Sequence, residues 1–330
     1  MSKISVVVPV YNEAQSIQPF IKAIAVVLGS LEKLGYSSEL VFVNDGSTDE
    51  SLEGLLRLME HDSRLRIIDL SRNFGKEAAL TAGLDEATGD ATVIMDADLQ
   101  DPPDLLPELI AKWREGFDVV LARRTNRSSD SILKRLSARW FYKIHNLIAD
   151  HQIPHDVGDF RLLDRSVVDA LRHLPERRRF MKGLFSWVGF RTTAIDYSRK
   201  PRKGGNSKFS GWKLWNLALE GITSFSTAPL RLWTYIGITV SASAFAYLLF
   251  IIIRTFILGV AVPGYASIFV AVLFFGGLQL IGIGVIGEYL GRVYIEVKQR
   301  PTYIVRRRYA PKDHTERLAE LDQIGTLVKP

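Results

Sequence analysis

The stretch Ile4-Ser5-Val6-Val7-Val8-Pro9-Val10-Tyr11-Asn12-Glu13 contains the first regular element of the chain. Its first half is rich in β-branched residues and uncharged, which predicts a strand over Ile4–Val8 that is buried on both faces. Helical and extended patterns then alternate along the chain. The expected helices are Ser16–Leu34, Thr48–Glu60, Lys76–Ala87 and Leu105–Glu115, and the further strands are Glu39–Val43, Leu65–Leu70, Ala91–Met95 and Phe117–Leu121. This alternation predicts an α/β domain whose mostly parallel sheet carries helices on both faces and binds ligands at the carboxyl ends of its strands.

The composition excludes several classes of protein. Hydrophobic residues make up 47% of the 330-residue chain and charged residues 24%, which are ordinary globular values and exclude disordered and fibrous proteins. The absence of cysteine excludes disulfide frameworks, thiolate metal sites and a cysteine nucleophile. A net charge of +6 favours anionic partners such as nucleic acid, anionic lipid or phosphorylated substrates.

Two long apolar segments predict a membrane anchor. Leu232–Ile253 carries no charge, and the most polar side chain of Ala266–Gly287 is Gln279. Each is long enough to cross a hydrocarbon core of about 30 Å. Lysines and arginines are concentrated before the first segment and after the second, whereas the connection Arg254–Tyr265 has a single cation. The positive-inside rule therefore predicts both chain ends in the cytoplasm, at the inner (plasma) membrane.

These patterns divide the chain into four parts. The prediction is a cytoplasmic catalytic domain over 1–209, an interfacial amphipathic helix over 210–231, a transmembrane hairpin over 232–290 and a cytoplasmic tail over 291–330. The amphipathic segment could instead be a core-facing helix of the soluble domain. In the tail, Thr302–Arg308 alternates weakly and could be a strand, and Thr315–Leu327 could be a short helix. No secretory signal is expected at the N-terminus.

Carboxylates follow three of the predicted strands. The segments are Pro9–Glu13, Asn44–Asp49 and Asp96-Ala97-Asp98-Leu99-Gln100-Asp101. Each alone could be a solvated turn or a helix cap, but three at one sheet edge would repel each other without a cation. Asp98 and Gln100 offer oxygen ligands from one side of an extended segment, Asp96 can reach metal or ribose, and Asp45 can accept hydrogen bonds from a pyrimidine or ribose. A divalent cation held there would neutralise a nucleotide diphosphate.

These motifs, with Arg72-Asn73-Phe74-Gly75-Lys76, resemble the signature of inverting family 2 glycosyltransferases, which have the Rossmann-like GT-A fold. The segment Gly287-Glu288-Tyr289-Leu290-Gly291-Arg292-Val293-Tyr294 and Lys298-Gln299-Arg300-Pro301 resemble the subgroup that acts on polyprenyl phosphate. The two-span hairpin looks most like the bactoprenol glucosyltransferases of that subgroup, which also contains dolichol-phosphate mannosyltransferases. The resemblance implies inverting transfer of a sugar from a nucleotide sugar to undecaprenyl phosphate or a related lipid.

The resemblance also assigns site residues. The nucleotide-binding residues it implies are Pro9, Tyr11, Glu13, Asp45, Lys76 and Asp96, although Lys76 could equally be a surface lysine at the start of a helix. The residues implied to serve the diphosphate and a Mg²⁺ or Mn²⁺ ion are Asp96, Asp98 and Gln100. Asp159, in Gly158-Asp159-Phe160-Arg161, matches an acidic residue beneath the sugar and completes a catalytic set with Asp96 and Asp98. A phosphate acceptor has a second pKa of about 6 and is already nucleophilic at neutral pH, so Asp159 could orient groups rather than take a proton, or form a structural pair with Arg161.

Two basic segments are candidates for the acceptor side. One lies over residues 123–143 and the other over 199–208. The acceptor or phosphate ligands predicted from them are Arg123, Arg135, Arg139, Arg202, Lys203, Ser207 and Lys208. The alternative is a patch for anionic lipid headgroups. Nucleic-acid binding is not expected, because the interleaved aromatic platform is missing.

Several functions remain open on the sequence alone. UDP-glucose is the first expectation for the donor, followed by GDP-mannose and a UDP-linked modified pentose. A processive polysaccharide synthase would need more spans and a Gln-x-x-Arg-Trp motif, and a non-catalytic nucleotide-sugar sensor or lipid-flipping subunit would bind without turnover. Gly287-x-x-x-Gly291, with the family resemblance, suggests a homo-oligomer, either a dimer or a tetramer.

Overall fold

The computed structural model describes residues 1–124, 157–177, 179–197, 227–258 and 264–311. Of these, residues 1–124, 157–177, 179–197 and 301–311 form one compact unit, and residues 227–258 and 264–300 form a second. The predicted interfacial helix over 210–231 lies outside the described residues up to residue 226. The predicted helix Thr315–Leu327 lies outside them entirely.

The first unit alternates strands and helices as predicted as far as Leu121, and its strands and helices over residues 157–197 were not predicted. Its strands are β1 (Lys3–Val10), β2 (Ser37–Asn44), β3 (Leu65–Leu70), β4 (Ala91–Ile94), β5 (Val119–Arg124), β6 (Val157–Asp164), β7 (Thr192–Tyr197) and β8 (Val305–Tyr309). Its helices are α1 (Ala14–Lys33), α2 (Ser51–Met59), α3 (Lys76–Glu86), α4 (Leu106–Arg114), α5 (Arg165–His173) and α6 (Met181–Trp187), with a 3₁₀ turn at Pro103–Leu105. The predicted strand Phe117–Leu121 begins two residues later and runs on to Arg124.

Within the described residues, the sheet has eight strands in the order β7-β5-β6-β4-β1-β2-β3-β8. Strands β4, β1, β2 and β3 run parallel at its centre, whereas β6 pairs antiparallel with both β4 and β5. Strand β8 closes one edge by pairing antiparallel with β3, which confirms a strand in the tail segment. The prediction of a mostly parallel α/β sheet is confirmed, with these antiparallel additions.

Burial explains why the strands read as continuous apolar runs. The valines and isoleucines of β1 are 0–1% exposed because helices cover the sheet on both sides. Helix α1 buries Ile17, Phe20, Ile24, Leu28 and Leu31 at three- and four-residue steps, which places one stripe of the helix in the core.

The second unit consists of two long helices, α7 (Ala228–Leu258) and α8 (Tyr265–Val297). Within them, Leu232–Ile251 and Phe274–Val297 are long and apolar enough to cross a membrane, as is α1, whose apolar stripe is instead in the domain core. Helix α7 continues beyond the predicted end of the first span at Ile253. Large hydrophobic side chains along both helices are exposed, including Phe245, Phe256 and Leu280.

Candidate active site

The acidic segments of the sequence follow three neighbouring strands of the sheet. In the order β4-β1-β2, Val7 lies beside Ile94 and Val10 lies beside Asn44. The Asp45 amide donates to the carbonyl of Val10 over 2.8 Å, which keeps the first two strand ends together. The carboxyl ends of these parallel strands therefore bring the three segments to one edge, where α/β sheets bind their ligands.

Lys76 connects two carboxylates at this edge. Its ammonium nitrogen lies 2.7 Å from Asp96 Oδ1 and 2.6 Å from Asp159 Oδ2. Partial burial by itself would lower the pKa of Lys76, but the two carboxylates raise it above its ordinary value. Burial would raise the pKa of Asp159, yet Lys76 and Lys182 hold it well below its usual range. Asp159 is therefore an ionised carboxylate at neutral pH.

A second group of charges surrounds Asp159, and sequence reasoning missed most of it. Lys182, in the first turn of α6, lies close enough to Asp159 to lower its pKa. Burial lowers the pKa of Lys182 itself, and the Asp159 carboxylate offsets only part of that effect. Arg161, named before only as a neighbour of Asp159, is 4% exposed, and its guanidinium stacks 4.0 Å from the ring centre of Phe185.

Glu77 is a further charged residue at the site that was not predicted from the sequence. It follows Lys76 in the first turn of α3, and its Oε2 accepts a hydrogen bond of 3.1 Å from the Met181 amide at the start of α6. Burial, together with the nearby Asp159 carboxylate, raises the pKa of Glu77 to about 7. The only sequence signal for this residue is its place beside Lys76 in a segment already identified as functional.

Asp45 is engaged by the loop that leads into α3. Its Oδ1 accepts the Phe74 amide at 2.7 Å and its Oδ2 accepts the Gly75 amide at 2.9 Å. Burial raises the pKa of Asp45, and these two amides offset part of the rise. Each carboxylate oxygen retains a second lone pair, so a contact with a nucleotide stays a prediction. These two hydrogen bonds fix the backbone of Phe74 and Gly75, and thereby the position of Lys76, which follows directly.

The loop after β1 is tied to the loop after β2. Asn12 adopts φ 55°, and its Oδ1 accepts the Thr48 amide at 2.8 Å. The Glu13 amide donates to Ser51 Oγ at 2.9 Å, and the Glu13 carboxylate accepts from Ser16. Tyr11 is 44% exposed. This arrangement leaves the Tyr11 ring accessible at the strand ends, as a base-stacking residue would need, and its role in nucleotide binding stays a prediction.

The predicted metal ligands occupy the loop after β4. Gln100 is 9% exposed, and its backbone amide donates to Asp98 Oδ1 over 3.1 Å. Leu99 between them adopts φ 57°, a left-handed conformation that non-glycine residues rarely take. In the part of the chain that the structure describes, no three carboxylate or imidazole side chains converge on one point. The oxygen donors nevertheless fit Mg²⁺ or Mn²⁺, because such ions use one or two carboxylates together with substrate phosphates.

One of the predicted acceptor residues can be located. Arg123 Nε and Nη2 donate to the Asp196 carboxylate at 2.6 and 2.9 Å, and both side chains are about half exposed. This two-point pairing engages the guanidinium with a carboxylate, so a role in phosphate binding stays a prediction. The other predicted acceptor residues lie outside the described residues, and they are Arg135, Arg139, Arg202, Lys203, Ser207 and Lys208.

The sequence is similar to known proteins over most of its length. Residues 5–172 match the model of glycosyl transferase family 2. The chain is 54% identical over 306 residues to the prophage bactoprenol glucosyl transferase homolog of Escherichia coli K12, covering 92% of this chain and 99% of that protein. It is also 54% identical over 304 residues to the bactoprenol glucosyl transferase of Shigella phage SfV, covering 92% and 98%.

A more distant likeness is found among solved structures. Mannosyl-3-phosphoglycerate synthase from Rubrobacter xylanophilus has a TM-score of 0.47 and 16% identity, covering 72% of this chain and 75% of that one. The family match covers residues 5–172, and the relatives named above cover 92% of the chain. The chain belongs to glycosyltransferase family 2.

Proposed function

We propose that this protein transfers glucose from UDP-glucose to a polyprenyl phosphate, with undecaprenyl phosphate as the first candidate, and that the anomeric configuration inverts. The observation that carries the proposal is the end-to-end likeness to bactoprenol glucosyl transferases, which covers 92% of this chain. The carboxylate and lysine cluster at the strand ends supports it, because this is where a nucleotide-sugar diphosphate would need both anchoring and charge balance.

The chemistry requires one displacement at the anomeric carbon. A phosphate oxygen of the acceptor forms the new bond to that carbon, the bond from the carbon to the diphosphate oxygen breaks, and UDP leaves with the electron pair. Attack from the face opposite the leaving group inverts the configuration. Because the second pKa of a phosphate monoester is about 6, the acceptor needs no strong base at neutral pH.

The charges around Asp159 favour an orienting role for it. Its pKa lies well below the usual range, and its carboxylate is paired with Lys76 at 2.6 Å. A carboxylate in that state is a poor proton acceptor at neutral pH. We infer that Asp159 orients the Lys76 ammonium group and the sugar relative to each other. Lys76 would then place a positive charge between Asp96 and the reacting centre.

A divalent cation completes the donor site in this proposal. Asp98, Gln100 and Asp96 would hold Mg²⁺ or Mn²⁺, and the bound ion would neutralise the diphosphate of the leaving group. Asp96 is engaged by Lys76 through both carboxylate oxygens, at 2.7 and 2.9 Å. Asp98 therefore has the larger share of metal binding in this assignment.

We also propose that the protein is membrane-bound, with α7 and α8 as its two spans. Their uncharged cores and exposed hydrophobic side chains support this assignment. The catalytic domain over 1–209 and the tail over 291–330 would then face the cytoplasm at the inner membrane. A homo-oligomer, either a dimer or a tetramer, completes the proposal.

The test uses the full chain purified in detergent, with undecaprenyl phosphate, Mg²⁺ or Mn²⁺, and a panel of radiolabelled nucleotide sugars. We expect metal-dependent label in the organic phase from UDP-glucose. If GDP-mannose or a UDP-linked pentose is the only productive donor, the assignment of glucose as the transferred sugar is wrong. Nucleotide binding without label from any donor would overturn the proposal in favour of a sensor or flippase subunit.

A matched pair of variants tests the metal assignment. We expect Asp98→Ala to abolish transfer while the protein still folds and inserts into the membrane. Asp104→Ala, which changes an exposed aspartate after the same strand, should leave transfer unchanged. Full activity in Asp98→Ala would refute the role of that carboxylate.

A further inference from the structure

A buried chain of hydrogen bonds lies behind the loop that carries the predicted metal ligands. The hydroxyl of Tyr197, at the end of β7, donates to Asp101 Oδ1. Arg124 Nε, at the end of β5, donates to the same hydroxyl oxygen over 3.3 Å. Tyr197 is 5% exposed and Asp101 is 2% exposed. The chain therefore connects two strand ends to the loop after β4 in an environment from which water is largely excluded.

The loop after β4, which contains Asp101, needs support from the rest of the domain. Leu99 has φ 57° within it, and such residues keep a left-handed conformation only where their surroundings enforce it. The hydrogen bond from the Gln100 backbone amide to the Asp98 carboxylate fixes these two residues relative to each other, but it does not attach them to the rest of the domain. Asp101 follows directly, and its buried carboxylate is the point at which Tyr197 fastens the loop to the sheet.

Tyr197 also contacts the strand that carries Asp159. Its ring meets the ring of Phe160 edge-on, with centroids 6.2 Å apart and an interplanar angle of 90°. Phe160 is 1% exposed and follows Asp159 in β6. Tyr197 therefore contacts both Asp101, in the loop that carries the predicted metal ligands, and Phe160, which follows the predicted catalytic Asp159.

We propose that Tyr197, held by Arg124, is a positioning residue that fixes Asp98 and Gln100 in the geometry needed to bind a divalent cation together with the donor diphosphate. This inference rests on the proposed function. Its physical basis is preorganisation: a loop that is already fixed loses less conformational freedom when the cation and the nucleotide bind. Without the Tyr197 hydroxyl, binding must also order the loop, so affinity falls although no ligand has been removed.

The test is Tyr197→Phe in the full-length protein, with Tyr303→Phe as a matched control. Tyr303 also donates to a carboxylate, Asp85 Oδ2 at 2.7 Å, but it lies near β8 at the opposite edge of the sheet. Mn²⁺ binding is followed by the loss of the free-ion EPR signal in the presence of UDP. We expect Tyr197→Phe to weaken Mn²⁺ binding roughly tenfold, as one lost hydrogen bond to a charged group would. Tyr303→Phe should change it less than twofold.

Steady-state kinetics give a second readout. We expect Tyr197→Phe to raise the KM for the nucleotide sugar at fixed Mn²⁺, and added Mn²⁺ to restore much of the lost rate. A purely structural role would lower the melting temperature of both tyrosine variants without a selective change in metal binding. Unchanged Mn²⁺ affinity in a folded Tyr197→Phe protein would overturn the inference.

A second variant covers a failure to fold. Arg124→Gln removes the guanidinium that donates to the Tyr197 hydroxyl and leaves the hydrogen bond between Tyr197 and Asp101 in place. We expect it to weaken Mn²⁺ binding about threefold, and unchanged binding in this variant would also overturn the inference. A wild-type protein that binds no Mn²⁺ in the presence of UDP would overturn the proposed metal-dependent function itself. The two failures are therefore distinguishable.

Discussion

Glu77 should make the catalytic domain less stable as the pH rises through neutrality. Its carboxylate is only partly exposed, faces Asp159 from the first turn of α3, and has a pKa raised to about 7 from an ordinary value of 4.5. Lys76 and Lys182 offset only part of this effect. The folded protein therefore keeps a proton on Glu77 between those two pH values, whereas the unfolded chain releases it.

The magnitude follows from linkage. Each unit of pKa difference corresponds to about 1.4 kcal/mol, and stability falls with pH wherever the folded state binds more protons. The favourable contribution is complete below the unfolded pKa and is lost as the pH rises through 7. Between pH 5 and pH 8 this amounts to about 2–3 kcal/mol, or about 5–10 °C in melting temperature for a domain of this size.

The perturbation is Glu77→Gln, which removes the charge and keeps an oxygen that can accept from the Met181 amide. Thermal unfolding of both proteins is measured in detergent between pH 5 and pH 8, without added divalent cation. All other ionisable groups are common to both proteins, so the difference between the two profiles isolates Glu77. We expect near-equal stability at pH 5 and a growing advantage of Glu77→Gln towards pH 8.

An exposed glutamate provides the control. Glu53→Gln, in the first turn of α2, should leave the pH profile of the wild type unchanged. Parallel profiles for Glu77→Gln and wild type over the whole range would show that Glu77 does not change protonation there. The account of charge crowding around Asp159 would then be wrong.

Two further substitutions test the arrangement of the site. Lys76→Met removes the cation between Asp96 and Asp159, and we expect transfer to fall roughly 10–100-fold, because a positive charge beside the reacting centre is lost. Such a fall corresponds to about 1–3 kcal/mol of transition-state stabilisation. A rate within threefold of wild type would contradict this. Gly46→Ala should destabilise the domain by about 2–4 kcal/mol in thermal unfolding, because φ is +63° and a Cβ there would overlap the backbone of the loop that leads into α3. Gly54→Ala, in a helix with open space around it, should be neutral or stabilising by up to about 1 kcal/mol, and equal losses at both glycines would refute the steric argument.

Local pattern was sufficient to predict the order of the elements as far as Leu121, whereas β6, α5, α6 and β7 were not predicted. The uncharged run Ile4–Val8 predicted β1, and the alternation of strands with helices predicted a parallel sheet with its site at the carboxyl ends. The two long apolar segments predicted the helices that are observed as α7 and α8. These features depend on side-chain periodicity and hydropathy within a short window, which a sequence displays directly.

The motifs and the family resemblance identified Lys76, Asp96 and Asp159 as site residues, but not that these three side chains pair. Lys76 was expected near a nucleotide, and only the folded chain places it against Asp96 and Asp159. Glu77 and Lys182 gave no signal of their own, because each is an ordinary charged residue near the start of a helix. Their unusual pKa values arise from burial and from neighbours that are remote in sequence.

The family, the alternation of strands with helices as far as Leu121 and the position of the acidic segments at strand ends follow from the amino-acid sequence alone. Only the folded chain shows which charges pair, how the tail strand β8 closes the sheet, and that Tyr197 contacts Asp101, which lies 96 residues earlier in the sequence. The physical reason is the range of the interactions. Secondary structure follows from neighbours a few residues apart, whereas a buried ion pair or hydrogen bond depends on the complete path of the backbone.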